Sequence, residues 1–207
     1  SFDSVRRFRE RIARHGDLRE GRPTLELDSR QLLESVLAHD ETCHVAPAHI
    51  FNPWYSALGT VSGKRSMDEL FGEFASRLLA VETGLTSTPP MCRRVSDLDR
   101  YTLFSCSDAH SPWNIGRECT RLEMEPGYAA LFDALRRGSV QEIPGTLKFP
   151  IERTRYYRNR CGVCRESFDG KSCPHCGRAL VMGSRDRLEI VADRSEAVGP
   201  AEAPPFQ

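Results

Sequence analysis

The stretch Phe104-Ser105-Cys106-Ser107-Asp108-Ala109-His110-Ser111-Pro112 holds residues well suited to chemistry. The apolar run Tyr101 to Phe104 reads as a buried strand that ends in small residues. On an extended backbone side chains alternate faces, so Asp108 and His110 are expected to point the same way. A carboxylate and an imidazole side by side at a strand end suit a hard or borderline divalent metal. The ordinary alternative is a turn-capping Asp beside a packed His. Two more candidate ligands lie at strand ends. His49 closes a strand-like run from Cys43 to Ala48, and Glu82 follows the apolar run Leu78 to Val81. Ligands at successive strand ends are what the rim of an α/β barrel requires. His44, in mid-strand, need not face His49. His15 and His39 fall at helix ends and read as solvent-exposed.

A second chemical signal is cysteine spacing. Cys161-Gly162-Val163-Cys164 and Cys173-Pro174-His175-Cys176 form two knuckles, eight residues apart. In each, two thiolates converge on one ion, so together they build a closed tetrahedral sulfur site for structural zinc. Redox dithiols or disulfides are the competing reading. A four-thiolate site has no open position, so its role is to stabilise a small ribbon or rubredoxin-like knob. His175 reads as an exposed polar residue rather than a fifth ligand. Just upstream, Arg155, Tyr156 and Arg158 lie in an arginine tract interleaved with aromatics. That pattern suits phosphate contacts and base stacking. A solvated edge strand with buried tyrosines is the alternative.

These residues must be positioned by elements that the pattern also predicts. Phe2, Val5, Phe8 and Ile12 recur at helical spacing until His15-Gly16. Asp28 or Ser29 caps a helix carrying Leu32, Leu33, Val36 and Leu37, and Ser66 caps one through Glu73 and beyond. Tyr128 to Arg137 is a further helix. Ile50 to Gly59 is an aromatic loop, and Thr86 to Pro90 and Ser111 to Gly116 are turns or loops. Strands alternating with helices predict an α/β domain with parallel strands. The 207 residues suffice for one or two domains, and 29 basic against 29 acidic side chains leave no global field to attract a polyanion. No apolar run is long enough for a membrane span. Dispersed cysteines without a signal-peptide core predict a reducing cytoplasm. The composition divides the chain into residues 1–145, a basic and cysteine-rich part at 146–194, and an Ala/Pro/Glu-rich tail at 195–207, expected to be disordered.

Val45 to Ser56, with its Ala48-His49-Ile50-Phe51-Asn52-Pro53-Trp54 core, closely resembles a motif of the PHP (polymerase and histidinol phosphatase) superfamily, in its endonuclease Q branch. Ser62-Gly63 with Met67-Asp68-Glu69, then Ala80 to Ser87, Ser105 to Glu118, the four cysteines, and Leu188 to Arg194 resemble the same branch in order. The resemblance implies the C-terminal portion of a distorted (β/α) barrel with a multinuclear metal site on its rim, followed by a four-cysteine zinc ribbon. It implies cleavage of DNA beside deaminated bases or abasic sites. The His-x-His strand with which such proteins open is not among these residues, so a piece of a longer protein or a truncated relative is expected. The family also usually has a polar residue where Cys106 stands.

The resemblance assigns His49, Asp108 and His110, and less directly Glu82, to the metal site, where Zn²⁺, Mn²⁺ or Mg²⁺ would promote phosphodiester hydrolysis. Asp108 would also orient or deprotonate the nucleophile. Arg117 is placed to neutralise phosphate charge, with an ion pair to Glu118 or Glu123 as the alternative. Trp54 and Tyr55 could stack on an extruded base, and Trp54 could equally belong to the core. Two further functions compete: a non-catalytic nucleic-acid-binding module built on the zinc ribbon, and a phosphatase acting on a small phosphoester.

Overall fold

The computed structural model describes residues 2–19 and 23–198. The fold is mixed α/β. Helix α1 (Phe2–Ile12) leads into α2 (Ser29–His39). The apolar stripe of α1 is not a core face: Phe2 and Val5 are exposed and only Ile12 is buried. Phe8 instead packs on His39, which is half-buried rather than solvent-exposed. Asp28, not Ser29, caps α2. Its carboxylate accepts from the Gln31 amide at 2.7 Å, and the Gln31 side chain accepts from the Asp28 amide at 3.0 Å. Ser66 caps α3 (Met67–Phe71), which Gly72, with φ +56°, converts into a 3₁₀ turn over Gly72–Arg77.

The expected strand at Cys43 to Ala48 is absent. Pro47 has no amide to donate and breaks any ladder there, so contact is reduced to two bonds. The Glu82 amide donates to Pro47 O at 3.0 Å, and the Ile50 amide donates to Glu82 O at 3.1 Å. Strands β1 (Ala80–Glu82) and β2 (Thr102–Phe104) pair in parallel, Val81 opposite Leu103. Between them Thr88 caps a short helix α4 (Pro89–Cys92), where a loop was expected. Strand β3 (Cys119–Arg121) pairs antiparallel with β4 (Gly145–Leu147) across helix α5 (Tyr128–Arg137). Parallel pairing, expected throughout the first part, is therefore limited among the described residues to β1 and β2.

The core joins Leu33, Phe51, Leu58, Met67, Phe71, Val81, Leu98 and Leu103. The aromatic segment after His49 thus has two roles: Ile50, Phe51, Ala57 and Leu58 are buried, while Trp54 and Tyr55 reach solvent. Strands β5 (Asn159–Arg160) and β6 (Ser167–Phe168) carry the cysteine module, and the chain then enters α6 (Ser184–Val191). Leu188 and Val191 of α6 belong to the same core as Leu33 and Phe51. Ser184 Oγ donates to Thr86 O at 2.7 Å, and Arg187 Nε donates to Leu58 O at 2.8 Å. Residues 146–194 are thus in contact with residues 1–145. Both ends pack on the first part, with the cysteine module between them. Residues 195–198 have no regular structure, and 199–207 lie outside the described residues. No described helix is long and apolar enough to cross a membrane.

Candidate active site

Glu82 closes β1 with its side chain buried. Its carboxylate accepts the amide of His49 at 2.6 Å, of Gly84 at 2.7 Å and of Cys106 at 3.3 Å. Three loops are thereby gathered at one strand end by a single carboxylate, which makes Glu82 an organiser of that end. Beside it, His49 Nδ1 is buried and makes no hydrogen bond among the described residues. A buried nitrogen without a partner is costly, and an imidazole nitrogen so placed could serve as a metal donor. Gly84, with φ +71°, lies directly against it. A Cβ there would stand 2.6 Å from His49 Cβ and 2.7 Å from its Cα. The substitution Gly84→Ala is expected to cost at least about 1–2 kcal/mol from the left-handed backbone alone and to displace His49, lowering the melting temperature and any metal-dependent activity together.

Asp108 and His110 are neighbours, though not by strand alternation. The strand ends at Phe104, and Asp108 sits in a loop with φ +47°. The turn brings His110 Nδ1 to 2.9 Å from Asp108 O and 3.8 Å from Asp108 Oδ1. Arg117 forms neither of the ion pairs considered for it. Its Nε donates to Ser107 O at 2.7 Å and a terminal nitrogen donates to Asp108 O at 3.1 Å, so it holds the loop that carries Asp108. Among the described residues, the non-glycine positions with positive φ are His49, Tyr55, Asp108 and Arg165. Three of them are site candidates, His49 and Tyr55 from one segment and Asp108 from another. Strained backbone of this kind persists where the surroundings over-determine it, commonly at functional sites.

Behind these loops lies a buried ion pair that the sequence did not single out. Lys148 Nζ is 2.5 Å from Glu118 Oε2, and the two side chains are 8% and 0% exposed. Lys148 also donates to Thr83 Oγ1 at 3.1 Å, Gly84 O at 2.5 Å and Ser105 Oγ at 3.1 Å. Glu118 accepts in addition from Ser105 Oγ and the Phe149 amide. The pair therefore ties β1, β2 and β4 at the end where Glu82 and His49 sit. The one available signal was that Lys148 is among three lysines in a chain of 29 basic residues.

The expected stacking residues come partly together. Trp54 meets Tyr156 edge to face at 5.1 Å, and the Arg155 guanidinium lies 5.2 Å from the Tyr156 ring. Trp54 is 37% exposed, neither core nor free. Tyr55 stands in solvent. Arg158 is paired with Asp169 at 2.7 Å. His44 stacks on Phe132 at 4.2 Å, where burial lowers its pKa.

The four cysteine sulfurs lie within 4.8 Å of one another. Cys161 and Cys176 are 3.6 Å apart and Cys164 and Cys173 3.8 Å, close to the ~3.8 Å edge of a tetrahedron with metal–sulfur bonds of about 2.3 Å. The Cys164 amide donates to Cys161 Sγ at 3.3 Å, and this bond helps bring the Cys161 thiol down to about 6. This donor set fits a metal ion. Among the described residues no other group of three or more such donors converges. His49, Glu82, Asp108 and His110 thus supply a pair and single donors, not a complete cage.

No family model matches the chain. The uncharacterized protein YqxK of Bacillus subtilis (strain 168) is 34% identical over 154 residues, which is 72% of this chain and 39% of that protein. An uncharacterized protein of Methanocaldococcus jannaschii is 26% identical over 169 residues, 76% of this chain and 20% of its own length. Among solved structures, the lesion-specific endonuclease PfuEndoQ of Pyrococcus furiosus superposes with a TM-score of 0.80 at 26% identity, over 100% of this chain and 52% of that one. Endonuclease Q in complex with a 27-mer duplex substrate, an abasic lesion at its active site, superposes with a TM-score of 0.84 at 25% identity, over 100% of this chain and 53% of that one. The chain spans about half the length of these structures and less than half of the curated relatives.

Proposed function

We propose, on the premise that this chain is endonuclease Q-like along its whole length, that it carries part of a metal-dependent DNA endonuclease acting at deaminated bases or abasic sites. In this reading residues 1–145 are a partial PHP-like phosphoesterase domain and the four cysteines hold structural zinc. The observation that supports it best is the buried Glu82 carboxylate, which accepts the amides of His49 and Cys106 and so draws the loops of His49 and Asp108 to the end of β1, beside an unpartnered His49 Nδ1. A bound divalent metal supplies a more acidic water and polarises phosphoryl oxygens. For this chain's own residues, Asp108, His110 and His49 are the metal donors. Glu82 and Arg117 hold their loops in place, Arg117 with a guanidinium edge available for phosphate. Trp54, Tyr156 and Arg155 form a platform for an extruded base, with Tyr55 beside it and Arg158 bracing the zinc module. Thiolate metal ligands suit a reducing compartment such as the cytoplasm.

The test is nicking of a duplex with a single deoxyinosine, in Mn²⁺ or Zn²⁺. Asp108→Ala is expected to lower nicking by at least about 100-fold while leaving DNA binding within a few-fold. Equal nicking by the variant would overturn the assignment. A second reading, a DNA-binding module without its own activity, is favoured by the incomplete donor set among the described residues. It predicts lesion-duplex binding with no nicking at all.

A further inference from the structure

Trp113 is 95% exposed, and Ile115, two residues on, is 73% exposed. An indole buries about 150–250 Å² when covered, so leaving one in water forgoes a large stabilisation. The loop that displays it is tightly built. Gly116 donates its amide to Ser107 Oγ at 2.8 Å, and Asn114 and Ile115 donate to Ser111 O and Pro112 O at 3.1 and 3.2 Å. Arg117 closes the base by holding Ser107 O and Asp108 O. Pro112 opens the single 3₁₀ turn in which Trp113 sits. The indole is therefore presented at the tip of an ordered loop whose base is Asp108 itself. Trp113 and the Asp108–His110 pair are thus carried by one loop.

We infer that Trp113 is a wedge that enters the base stack of duplex DNA at the lesion, filling the gap left by an extruded or missing base, with Ile115 packed beside it. The inference rests on the DNA-endonuclease reading above and adds to it a residue that selects lesions. A flat aromatic ring is sequence-tolerant because every base offers a π-face, and apolar side chains driven between base steps kink the duplex. Its work is distinct from that of Trp54 and Tyr156, which would receive the base rather than replace it. Presentation on an ordered loop reduces the conformational entropy lost on binding.

The experiment measures binding of the full chain, Trp113→Ala and Trp113→Phe to a duplex with one abasic-site analogue and to the same duplex undamaged, by anisotropy and by tryptophan emission. Trp113→Ala is expected to weaken binding to the abasic duplex about tenfold with binding to undamaged DNA within about twofold, and Trp113→Phe to keep most of the preference. Emission of the unsubstituted chain should fall on binding the abasic duplex, and fall less in Trp113→Phe. If the chain binds and prefers the abasic duplex but Trp113→Ala keeps that preference, the wedge is wrong and the endonuclease reading stands. If the unsubstituted chain binds neither duplex, the DNA reading fails and the wedge fails with it. Trp113 is fully outside the core, so loss of folding does not confound either variant.

Discussion

Stripping the metal from Cys161, Cys164, Cys173 and Cys176 is expected to unfold residues 159–182 while the core around Phe51 and Val81 stays folded. The cysteine module has almost no apolar interior. Its two strands pair over two residues each, Val163 is exposed, and the buried side chains at its centre are Cys161 and Cys173. A metal bound by four thiolates contributes on the order of 10–16 kcal/mol at neutral pH, and no packing here replaces it. Without the ion, four sulfurs within 4.8 Å would lose their reason to converge. The rest should survive because α6 docks through Ser184, Arg187, Leu188 and Val191, none of which touches the sulfurs. Limited trypsin digestion after chelation should open cleavage at Arg165, Lys171 and Arg178 first. A chain whose digestion pattern ignores chelation would sink the assignment. Acid should act in the same direction, because the ligands bind as thiolates and protons compete with the metal.

Replacing Lys148 by Met is expected to destabilise the chain by about 3–5 kcal/mol, since it leaves the Glu118 carboxylate buried without its counter-charge. The cost reflects the stranded partner. The double replacement Lys148→Met with Glu118→Leu should therefore recover most of it, a buried pair often being exchangeable for apolar side chains of similar volume. Urea unfolding of the single and double variants separates the two effects. A single variant within about 1 kcal/mol of the parent would overturn the role given to the buried Lys148–Glu118 pair. Function should not follow stability in the double variant. Lys148 also holds Gly84 O and Ser105 Oγ, and Gly84 supports His49, so nicking should stay depressed even where folding is restored.

How much of this was legible depends on the range of the contacts involved. The cysteine knuckles could be read directly, because metal-ligand spacing within a knuckle is a local property. The capped helix at Asp28 and the apolar runs at β1 and β2 were legible for the same reason. The spacing on α1 marked the helix at Phe2–Ile12 but not its surroundings: periodicity reports that a face is apolar, not that anything covers it. The strand before His49 failed on Pro47, whose missing amide is visible in the sequence but was outweighed by the apolar pattern. Asp108 and His110 were rightly paired on a wrong argument, since a residue in left-handed conformation, not alternation, joins them.

By itself the sequence determined the residue types of both candidate sites, the four sulfurs positioned to hold a metal ion and the helices α1, α2 and α5, because these depend on neighbours along the chain. Tertiary structure alone decided that Glu82 gathers three loop amides, that Gly84 abuts His49, and that Lys148 reaches Glu118, Thr83 and Ser105 across separations of up to 65 residues. Those contacts exist only once distant segments share one strand end, and a buried charge or an absent Cβ is a property of surroundings that no local pattern records.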